Sequence, residues 1–419
     1  CALFTPEATA ERTGIEPVTV RQLARDLVAS PRAAVYGRFG TCVGRNPTLT
    51  AYLIDVVNLV AGQLDRPGGS VFATTGAPGQ RFATMALGAG LRRAYRRKRS
   101  RIGGFPSVLG AEPAAMLAKE IATPGTNQIR ALFVSAGNPA LSVPNGLELE
   151  AALPGLDLMV GLDLYVNETT AHCDYVLPVT TMYERDDFPV TFQTFQSTPF
   201  RQATEAVVAP RGQARTEWDI VADLMARMSR RPPVVAALVG LRGLVERTGR
   251  QWRPRLIADV MIRTSQGGDM FGLRRGGLNF RRLVGEHPHG VVVDDHIATG
   301  VLGDVVVYRR GRMKLAHNDI GAEIAAISRR ETPDEFPMRL IGMRQPRSEN
   351  SWMHNSPMLM GPVLKRGDRA HGALMNADDA AALAIADGDT VCIRSATGAI
   401  EVPVTLTADI VRGAMAVPQ

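Results

Sequence analysis

The sequence predicts an α/β fold, in which parallel sheets with flanking helices are followed by a β-rich C-terminal domain. The stretch 131–178 contains three short apolar runs separated by helical or polar segments, which favours the strands of such a sheet. Beyond Pro337 the pattern changes, and short β-prone runs replace the helical ones. The length of 419 residues and the hydrophobic content of 45% allow large cores, in about two to four domains.

The N-terminal segment predicts a helix, a strand and a second helix. Residues 18–29 carry apolar side chains at the helical period, and residues 33–36 predict a strand. A glycine turn follows at 37–40, and Asn46 and Pro47 are suited to cap and begin the next helix. Its apolar stripe consists of Leu49, Leu53, Val56, Val60 and Leu64. This order of elements can face a phosphate, although the G-x-G-x-x-G spacing is absent.

Polar loops follow the apolar runs of the central stretch. The first run ends at Gly137, which can adopt backbone angles closed to other residues, and Pro139 then prevents the strand from continuing. The second run delivers Asp163 at its carboxyl end, and Asp174 precedes the third. Ligands bind just outside the carboxyl ends of parallel strands. Two carboxylates and Asn138, gathered at strand edges, therefore predict a nucleotide site.

The rest of the chain predicts further helices and strands. Thr216 and Asn376 are each placed to cap a helix. A polar loop rich in hydrogen-bond donors runs from 344 to 355. The predicted strands are a hairpin of 305–308 with 313–315, a strand at 338–343, and a pair of 389–396 with 399–407 joined through Thr397-Gly398.

The cysteines and histidines do not predict a metal site. The cysteines lie far apart, without the paired spacing of zinc or iron–sulfur ligands, at Cys1, Cys42, Cys173 and Cys392. Scattered thiols are typical of a reducing compartment and predict a cytoplasmic location. Because the first residue is not methionine, an exported form stays open. His287 and His289 have no third ligand nearby, which is more typical of a loop than of a metal site.

Arginine dominates the charge of the chain. There are 44 arginines and four lysines, and the net charge is +7. The densest run is RRAYRRKRSR at 92–101, which is either a phosphate or nucleic-acid patch or a solvated loop. The solvated loop is the favoured interpretation, so nucleic acid is not expected as a partner. No apolar run approaches the ~20 residues of a membrane helix, so no membrane span is expected.

Several motifs, taken in their order and spacing, resemble one family of enzymes. They are Y-G-R-x-G at 36–40, NLVAGQLDRPGG at 58–69, G-N-P at 137–139, D-x-x-x-x-E-T at 163–169, C-D-Y-V-L-P at 173–178, N-S-W-x-H-N at 350–355 and N-x-x-D-A-x-x-x-x-I-x-D-G-D at 376–389. In these motifs the chain resembles the molybdopterin-guanine-dinucleotide oxidoreductases, a group that includes formate dehydrogenases, nitrate reductases and dimethyl sulfoxide reductases. The resemblance covers nearly the whole chain.

The resemblance implies a molybdenum or tungsten oxidoreductase. Such an enzyme binds bis-molybdopterin guanine dinucleotide, carries out two-electron redox chemistry on a small substrate, and can pass electrons to a partner subunit. The family's metal ligand and the cysteines of its 4Fe-4S cluster are expected in a missing N-terminal part, so this portion is expected to lack catalytic and metal-ligating residues and to be inactive alone. Cys42 does not match the ligand position. Thr75-Gly76 stands where the family's formate dehydrogenases carry an arginine, which disfavours formate.

The resemblance also implies a division into domains. Residues 1–72 belong to an α/β cofactor-binding domain, and 73–229 form a second α/β dinucleotide-binding domain. Residues 230–336 form a connecting region that contains the hairpin and leads to residues 337–419. The last part is an incomplete C-terminal β-barrel that binds the molybdopterin dinucleotide. The alternative is a scaffold subunit of a redox complex that has this fold without the cofactor.

The chemistry of the cofactor assigns roles to the motif residues. A guanine edge offers two parallel N–H donors, which the carboxylate of Asp163 or Asp174 can accept. Diphosphates need backbone N–H groups, as at 137–138, and a positive field from Arg38 or Arg344. The pterin is matched by the polar side chains of Ser351, His354, Asn355 and Asn376, and Trp352 is placed to stack. The full predicted set adds Gly40, Asn58, Gly137, Asn138, Pro139, Thr169 and Met343. Structural roles are the alternative, with Asp163 and Asn376 as helix caps and Trp352 in a core.

Overall fold

The computed structural model describes most of the chain. The described residues are 3–72, 93, 95, 97–108, 110–194, 196, 198–249, 252–305, 313–327, 335–344, 353, 356–365 and 372–418. The chain divides into two compact units. Unit 1 comprises Cys1–Ser30, Val35–Gly62 and Lys314–Gln419, and unit 2 comprises Pro31–Ala34 and Gln63–Met313. The four parts expected from the resemblance stay a prediction.

The described chain contains both helices and strands. The helices are α1 (Pro6–Thr13), α2 (Pro17–Ala29), α3 (Pro47–Val60), α4 (Leu117–Ala122), α5 (Pro139–Ser142), α6 (Gly146–Ala152), α7 (Val190–Thr194), α8 (Glu217–Arg227), α9 (Pro233–Arg247), α10 (Pro254–Thr264), α11 (Phe280–Glu286), α12 (Leu302–Val305), α13 (Asn318–Ile327), α14 (Pro357–Lys365) and α15 (Ala377–Ala382). The strands are β1 (Ala131–Ser135), β2 (Leu158–Asp163), β3 (Tyr175–Pro178), β4 (Phe200–Arg201), β5 (Val291–Val292), β6 (Arg339–Met343), β7 (Ala373–Asn376), β8 (Thr390–Arg394), β9 (Ala399–Thr407) and β10 (Ala414–Pro418).

Unit 2 contains the parallel sheet that the central stretch predicts. Its strand order is β1-β2-β3, and both pairings are parallel. One core packs residues of this sheet against α4 and α6, around Leu149 and Met159. A second core joins Val160 and Leu162 of β2 to Ile220 of α8. Because the strands are parallel, the carboxyl ends of all three lie at one edge of the sheet.

Unit 1 contains a curled five-stranded sheet that resembles half a barrel. Its strand order is β6-β10-β7-β9-β8. The predicted pairing of β8 with β9 is confirmed, and the Ser395 N–H donates to the Gly398 carbonyl at the turn between them. The core of this sheet includes Met375, Val404 and Met415. The expected β-rich C-terminal part is therefore present.

Two of the three predicted helix caps are confirmed, whereas the Asn46 side chain forms no capping hydrogen bond in front of Pro47 at the start of α3. The Thr216 hydroxyl accepts from the Asp219 N–H at the start of α8, and the Asn376 side chain accepts from the Asp378 N–H at the start of α15. Each cap satisfies a backbone donor that the helix itself leaves without a partner.

The strand predicted at 33–36 is wrong. In its place, the Asn58 amide donates to the Val35 carbonyl at 2.8 Å, and its oxygen accepts from the Val35 N–H at 2.8 Å. One side chain from α3 thus supplies both hydrogen bonds that a neighbouring strand provides in a sheet. The stripe predicted on α3 is not buried as a whole, since Leu49 is buried and Val60 is exposed.

Two other sequence-based interpretations need correction. Val305, predicted to begin a hairpin, ends helix α12, and residues 306–312 lie outside the described residues. At the end of the arginine-rich run, Arg101 is anchored rather than solvated. Its Nε donates to Oε2 of the buried Glu120 at 3.0 Å, and its Nη2 donates to the Glu120 carbonyl. Among the described residues, no helix has the length and apolar character needed to cross a membrane.

The core beneath the parallel sheet provides a direct stability test. We expect Leu149→Ala to destabilise unit 2 by about 2–5 kcal/mol, because it leaves a cavity where a fully buried side chain packs. Leu147 lies on the same helix and is 72% exposed, so Leu147→Ala should change the free energy of unfolding by less than about 0.5 kcal/mol. Urea unfolding followed by circular dichroism measures both, and equal effects would contradict this packing.

Candidate functional site

The segment that follows β1 leaves its backbone uncovered. Ala136 adopts the left-handed conformation with φ +50°, and its N–H donates to the Leu162 carbonyl of β2. Gly137 itself does not have a positive φ, so the prediction of special backbone angles is wrong for Gly137, and Ala136 adopts them instead. A Cβ built on Gly137 has its nearest neighbour, the Ser135 carbonyl oxygen, at 3.7 Å, an ordinary contact distance. Packing against the described residues does not require the glycine, and it leaves an approach to the backbone open on their side.

Two adjacent donors lie in this opening. Within the described part of the chain, the backbone N–H groups of Gly137 and Asn138 donate no hydrogen bond. Backbone donors need a partner from protein, water or ligand. Successive N–H groups at the end of a strand form a local arrangement that suits an anion.

The Asn138 side chain clamps the first loop to the second. Its Nδ2 donates to Oε2 of Glu168 at 2.7 Å, and its Oδ1 accepts from the Thr169 hydroxyl at 2.7 Å and the Thr169 N–H at 3.2 Å. The Thr169 oxygen in turn accepts from the Ala140 N–H at 2.9 Å. Asn138 and Thr169 are both buried. Their side chains hold the loops after β1 and β2 together rather than facing solvent.

Asp163 ends β2 at the same edge as Gly137. Its Oδ1 accepts from the Leu164 N–H at 2.6 Å, and its Oδ2 accepts from Nδ2 of Asn167 at 3.0 Å. The Asn167 oxygen accepts from the N–H groups of Thr169 and Thr170, which continues the network. The carboxylate is half-buried. Each carboxylate oxygen has two lone pairs, so each retains acceptor capacity in a fixed orientation.

Asp174 lies at the opposite edge of the sheet. It precedes β3, and its Oδ2 accepts from the Met159 N–H near the start of β2 at 2.7 Å. Asp163 stands four positions after Met159 in β2, which is roughly 13 Å along a strand. The sequence was expected to gather the two carboxylates, and the structure separates them. Asp163 is the one placed beside Gly137.

Sequence reasoning missed a contact at the carboxyl edge of β1. The hydroxyl of Ser135 donates to Oε1 of Glu217 in the first turn of α8, and Nη1 of Arg185 donates to Oε2 of the same carboxylate at 3.1 Å. Ser135 and Glu217 stand 82 positions apart. No local pattern joins residues at that separation, so only the fold brings them together.

Glu184 fixes the loop that follows β3. Its carboxylate accepts from the N–H groups of Thr181 and Arg211, each at 2.8 Å. The pKa of Glu184 lies below its ordinary value of 4.5, chiefly because the Thr181 N–H stabilises the charged form, with the Arg211 N–H contributing further. The loop after β3 is thus attached to residue 211 by an ionised side chain.

In unit 1 the structure brings two predicted motifs together. The guanidinium carbon of Arg344, directly after Met343 at the end of β6, lies 5.5 Å from the centre of the Phe39 ring. Phe39 stands between Arg38 and Gly40, both exposed. Arg38 forms no ion pair within the residues that the structure describes. The unit therefore presents one exposed ring with the Arg344 guanidinium beside it, and the exposed Arg38 precedes that ring in the sequence.

The other predicted residues have structural roles or lie outside the described residues. Asn58 is buried and bound to the Val35 backbone, and Asn376 caps α15 while its Nδ2 donates to the Ile410 carbonyl. Pro139 begins α5. The positions outside the described residues are Ser351, Trp352, His354 and Asn355.

The histidines predicted to lie in a loop are not part of a possible metal cluster. Within the described ranges, Asp294, Asp295 and His296 are the one group whose ligand atoms approach within 4.8 Å of one another, and it lies at the surface. His287 and His289 stand outside that group.

The loop clamp predicts a reversible charge effect. We expect Asn138→Asp to destabilise unit 2 by about 1–3 kcal/mol, because it places a second carboxylate against Glu168 and removes a donor. Combining Asn138→Asp with Glu168→Gln restores a donor and should recover most of this loss. Chemical unfolding of the four proteins gives the coupling energy. Additive effects of the two substitutions would show that these side chains do not interact.

The Glu184 contact predicts a pH-dependent effect. Because the folded-state pKa is lowered, its stabilisation is present above pH 4.5 and is lost as pH falls through the folded pKa. We expect Glu184→Gln to lower the unfolding midpoint at pH 7 and to approach the wild type as the pH falls below the folded pKa of Glu184, where both side chains are neutral. Glu11→Gln, at an exposed position, is the control. A pH-independent difference would contradict the contact.

Comparison with known proteins identifies two family domains in the chain. Residues 36–227 match the molybdopterin oxidoreductase family model, and residues 338–419 match the molydopterin dinucleotide binding domain. The first match contains Asn138, Asp163 and Thr169, and the second contains β6 to β10. The predicted site residues from Arg38 to Asp174 thus lie in the first matched segment, and those from Met343 to Asn376 lie in the second.

Similar proteins include several reductases. The chain is 24% identical to trimethylamine-N-oxide reductase of Haemophilus influenzae, over 98% of this chain and 52% of that protein. It is 27% identical to nitrate reductase of Symbiobacterium thermophilum, over 54% of this chain and 31% of that protein. It is 24% identical to dimethyl sulfoxide/trimethylamine N-oxide reductase of Rhodobacter capsulatus, over 68% of this chain and 35% of that protein. The chain therefore spans about a third to a half of the length of these relatives.

A solved structure supports the fold. Acetylene hydratase from Pelobacter acetylenicus superimposes with a TM-score of 0.60 and 18% identity, over 99% of this chain and 57% of that one. At this identity the likeness concerns the fold alone. Together with the two family matches, it confirms what the motifs predicted. The chain belongs to the molybdopterin oxidoreductase family.

Proposed function

We propose that this chain binds a molybdopterin guanine dinucleotide and serves a molybdenum or tungsten oxidoreductase that acts on a small substrate. The observation that carries the proposal is the carboxyl edge of β1 and β2. There, two N–H groups that donate no hydrogen bond to any described residue lie beside an oriented carboxylate. The family match to a dinucleotide-binding domain supports the same chemistry.

The residues at this edge fit the parts of a dinucleotide. The N–H groups of Gly137 and Asn138 would hold a phosphate oxygen, because they are adjacent donors without a partner among the described residues. The Asp163 carboxylate would accept two parallel N–H donors of a guanine edge. The clamp between Asn138 and Thr169 would keep these groups at a fixed separation. Preorganised partners bind with less loss of entropy.

Unit 1 supplies a second surface suited to the cofactor. Arg38 and Arg344, beside Phe39, would attract the phosphates of a dinucleotide, and the exposed ring offers a flat apolar contact. Asn58 holds the backbone of Val35 through hydrogen bonds, and it would thereby position Arg38, three residues further along the chain. The side chain of Asn376 caps α15. Its contribution to pterin binding would therefore be to order the start of that helix.

The bound group would supply the redox chemistry. A molybdenum or tungsten centre on the pterin carries the two-electron exchange with the substrate. The described residues that we assign here would bind and orient the cofactor. None of them is assigned as a metal ligand or proton donor. The substrates in the names of the relatives belong to those proteins, and the class proposed for this chain is a small redox-active molecule.

A cofactor-free scaffold is the second candidate. It is favoured by the number of motif side chains that bond within the protein, namely Asn58, Asn138, Thr169 and Asn376. It does not explain the open backbone at Gly137. A structural loop has no need of two unpaired donors beside a glycine that packing does not require.

Measurements of nucleotide binding show which carboxylate, Asp163 or Asp174, contacts the nucleotide. They also distinguish a cofactor-binding protein from a cofactor-free scaffold. With GDP and ADP as probes in calorimetric titrations, we expect GDP to bind more tightly. Asp163→Asn should weaken GDP binding roughly tenfold or more, because one acceptor is replaced by a donor. Asp174→Asn, at the opposite edge, should leave it unchanged. If neither nucleotide binds to folded protein, the scaffold is favoured, and an effect of Asp174→Asn alone would reverse the assignment.

Gly137 gives an independent test of the open backbone. We expect Gly137→Val to abolish GDP binding while the unfolding midpoint stays near that of the wild type, because the protein atoms nearest to an added Cβ lie at ordinary contact distances of 3.7 to 3.9 Å. Gly155→Val is the control, since a Cβ at Gly155 has no neighbour within 4 Å among the described residues and the position lies away from the carboxyl edge. Equal nucleotide binding by both variants would exclude a ligand at Gly137.

A further inference from the structure

Helix α9 lies in a part of the chain that neither family model matches. The first match ends at residue 227 and the second begins at 338. The helix runs from Pro233 to Arg247. Its function is therefore not given by the two matched domains, and its surface has to be interpreted from its own chemistry.

One side of α9 is apolar and exposed. Leu238, Leu241 and Leu244 are 44%, 45% and 59% exposed. Their spacing of three residues places them along one side of a helix. A row of exposed leucines on a regular helix is unusual for a surface in water, and such patches commonly mark a binding surface.

The side of α9 next to the leucines is attached to unit 2. Nη1 and Nη2 of Arg242 both donate to Oδ1 of Asp223 in α8 at 3.2 Å, and Nε of Arg242 donates to Oε1 of Glu246 at 2.8 Å. Val235 and Val239 are partly covered on this side. The ion pair fixes which side of the helix faces outward, so the leucines remain exposed.

The flanks of α9 carry most of the net charge of the chain. Residues 227–253 contain seven arginines, one glutamate and no lysine or aspartate, a formal charge of +6 against +7 for the whole protein. Arg230 and Arg247, one before and one at the end of the helix, are exposed. Neither forms an ion pair within the described residues. The single glutamate, Glu246, is already paired with Arg242.

We propose that α9 docks the protein on an anionic lipid surface, with its leucines in the interface and its flanking arginines on lipid phosphates. An amphipathic helix of this kind lies in the plane of the interface, where apolar burial and attraction to anionic headgroups act together. A nucleic acid would satisfy the arginines but leave the leucines in water. The proposal concerns a surface of unit 2 and does not depend on nucleotide binding.

Vesicle flotation of the whole chain tests the proposal. The protein is mixed with vesicles of phosphatidylcholine alone or of phosphatidylcholine with phosphatidylglycerol. We expect it to float with the anionic vesicles and not with the neutral ones, and to be released by high salt. The double variant Arg230→Glu with Arg247→Glu should bind roughly tenfold more weakly, because each basic residue near the surface contributes to binding.

A matched pair of triple variants separates the leucines from general hydrophobicity. Leu238→Ser, Leu241→Ser and Leu244→Ser together should abolish flotation. Leu147→Ser, Leu273→Ser and Leu383→Ser, at exposed leucines elsewhere, should not. Circular dichroism verifies that both variants are folded. The proposal is overturned if the wild type does not bind anionic vesicles, if the α9 triple variant binds as well as the wild type, or if duplex DNA binds and displaces the vesicles.

Discussion

The candidate site depends on one hydrogen-bonded clamp. Parallel strands deliver their carboxyl ends to a common edge, but they do not fix the loops that follow. In this chain the buried Asn138 amide bonds to Glu168 and Thr169, so the loop after β1 is held against the loop after β2. The same network continues through Asn167 to Asp163. An uncovered backbone and a carboxylate are thereby kept in a defined arrangement.

The clamp also explains why the motifs have their spacing. In D-x-x-x-x-E-T, the first aspartate ends β2, and Glu168 and Thr169 reach the loop after β1. The residues in between form the turn that returns the chain toward Asn138. The side chains that distinguish the motif are therefore divided between groups that build the loop and groups that remain available. Asp163 belongs to both sets, because its carboxylate orients Asn167 and still has free lone pairs.

The sequence predicted the elements well and the contacts less well. Apolar runs identified β1, β2 and β3, and cap residues identified α8 and α15, because these signals are local. The wrong strand at 33–36 arose because an apolar run does not reveal its hydrogen-bond partner, here a side chain of α3. Asp174 was wrongly grouped with Asp163, because in a parallel sheet a residue that precedes a strand lies at the edge opposite to a residue that ends one. The Ser135 contact with Glu217 has no local signal. The family itself was predictable, since the order of several motifs is more specific than any one of them.

We propose that the edge of the parallel sheet binds the guanine end of a molybdopterin dinucleotide. The most direct measurement is the guanine nucleotide and metal content of the protein purified from its native host. A cofactor enzyme of this family with bis-molybdopterin guanine dinucleotide should release about two guanine nucleotides and about one molybdenum or tungsten per chain. Well-folded protein that contains neither guanine nor metal would contradict the account and favour a scaffold.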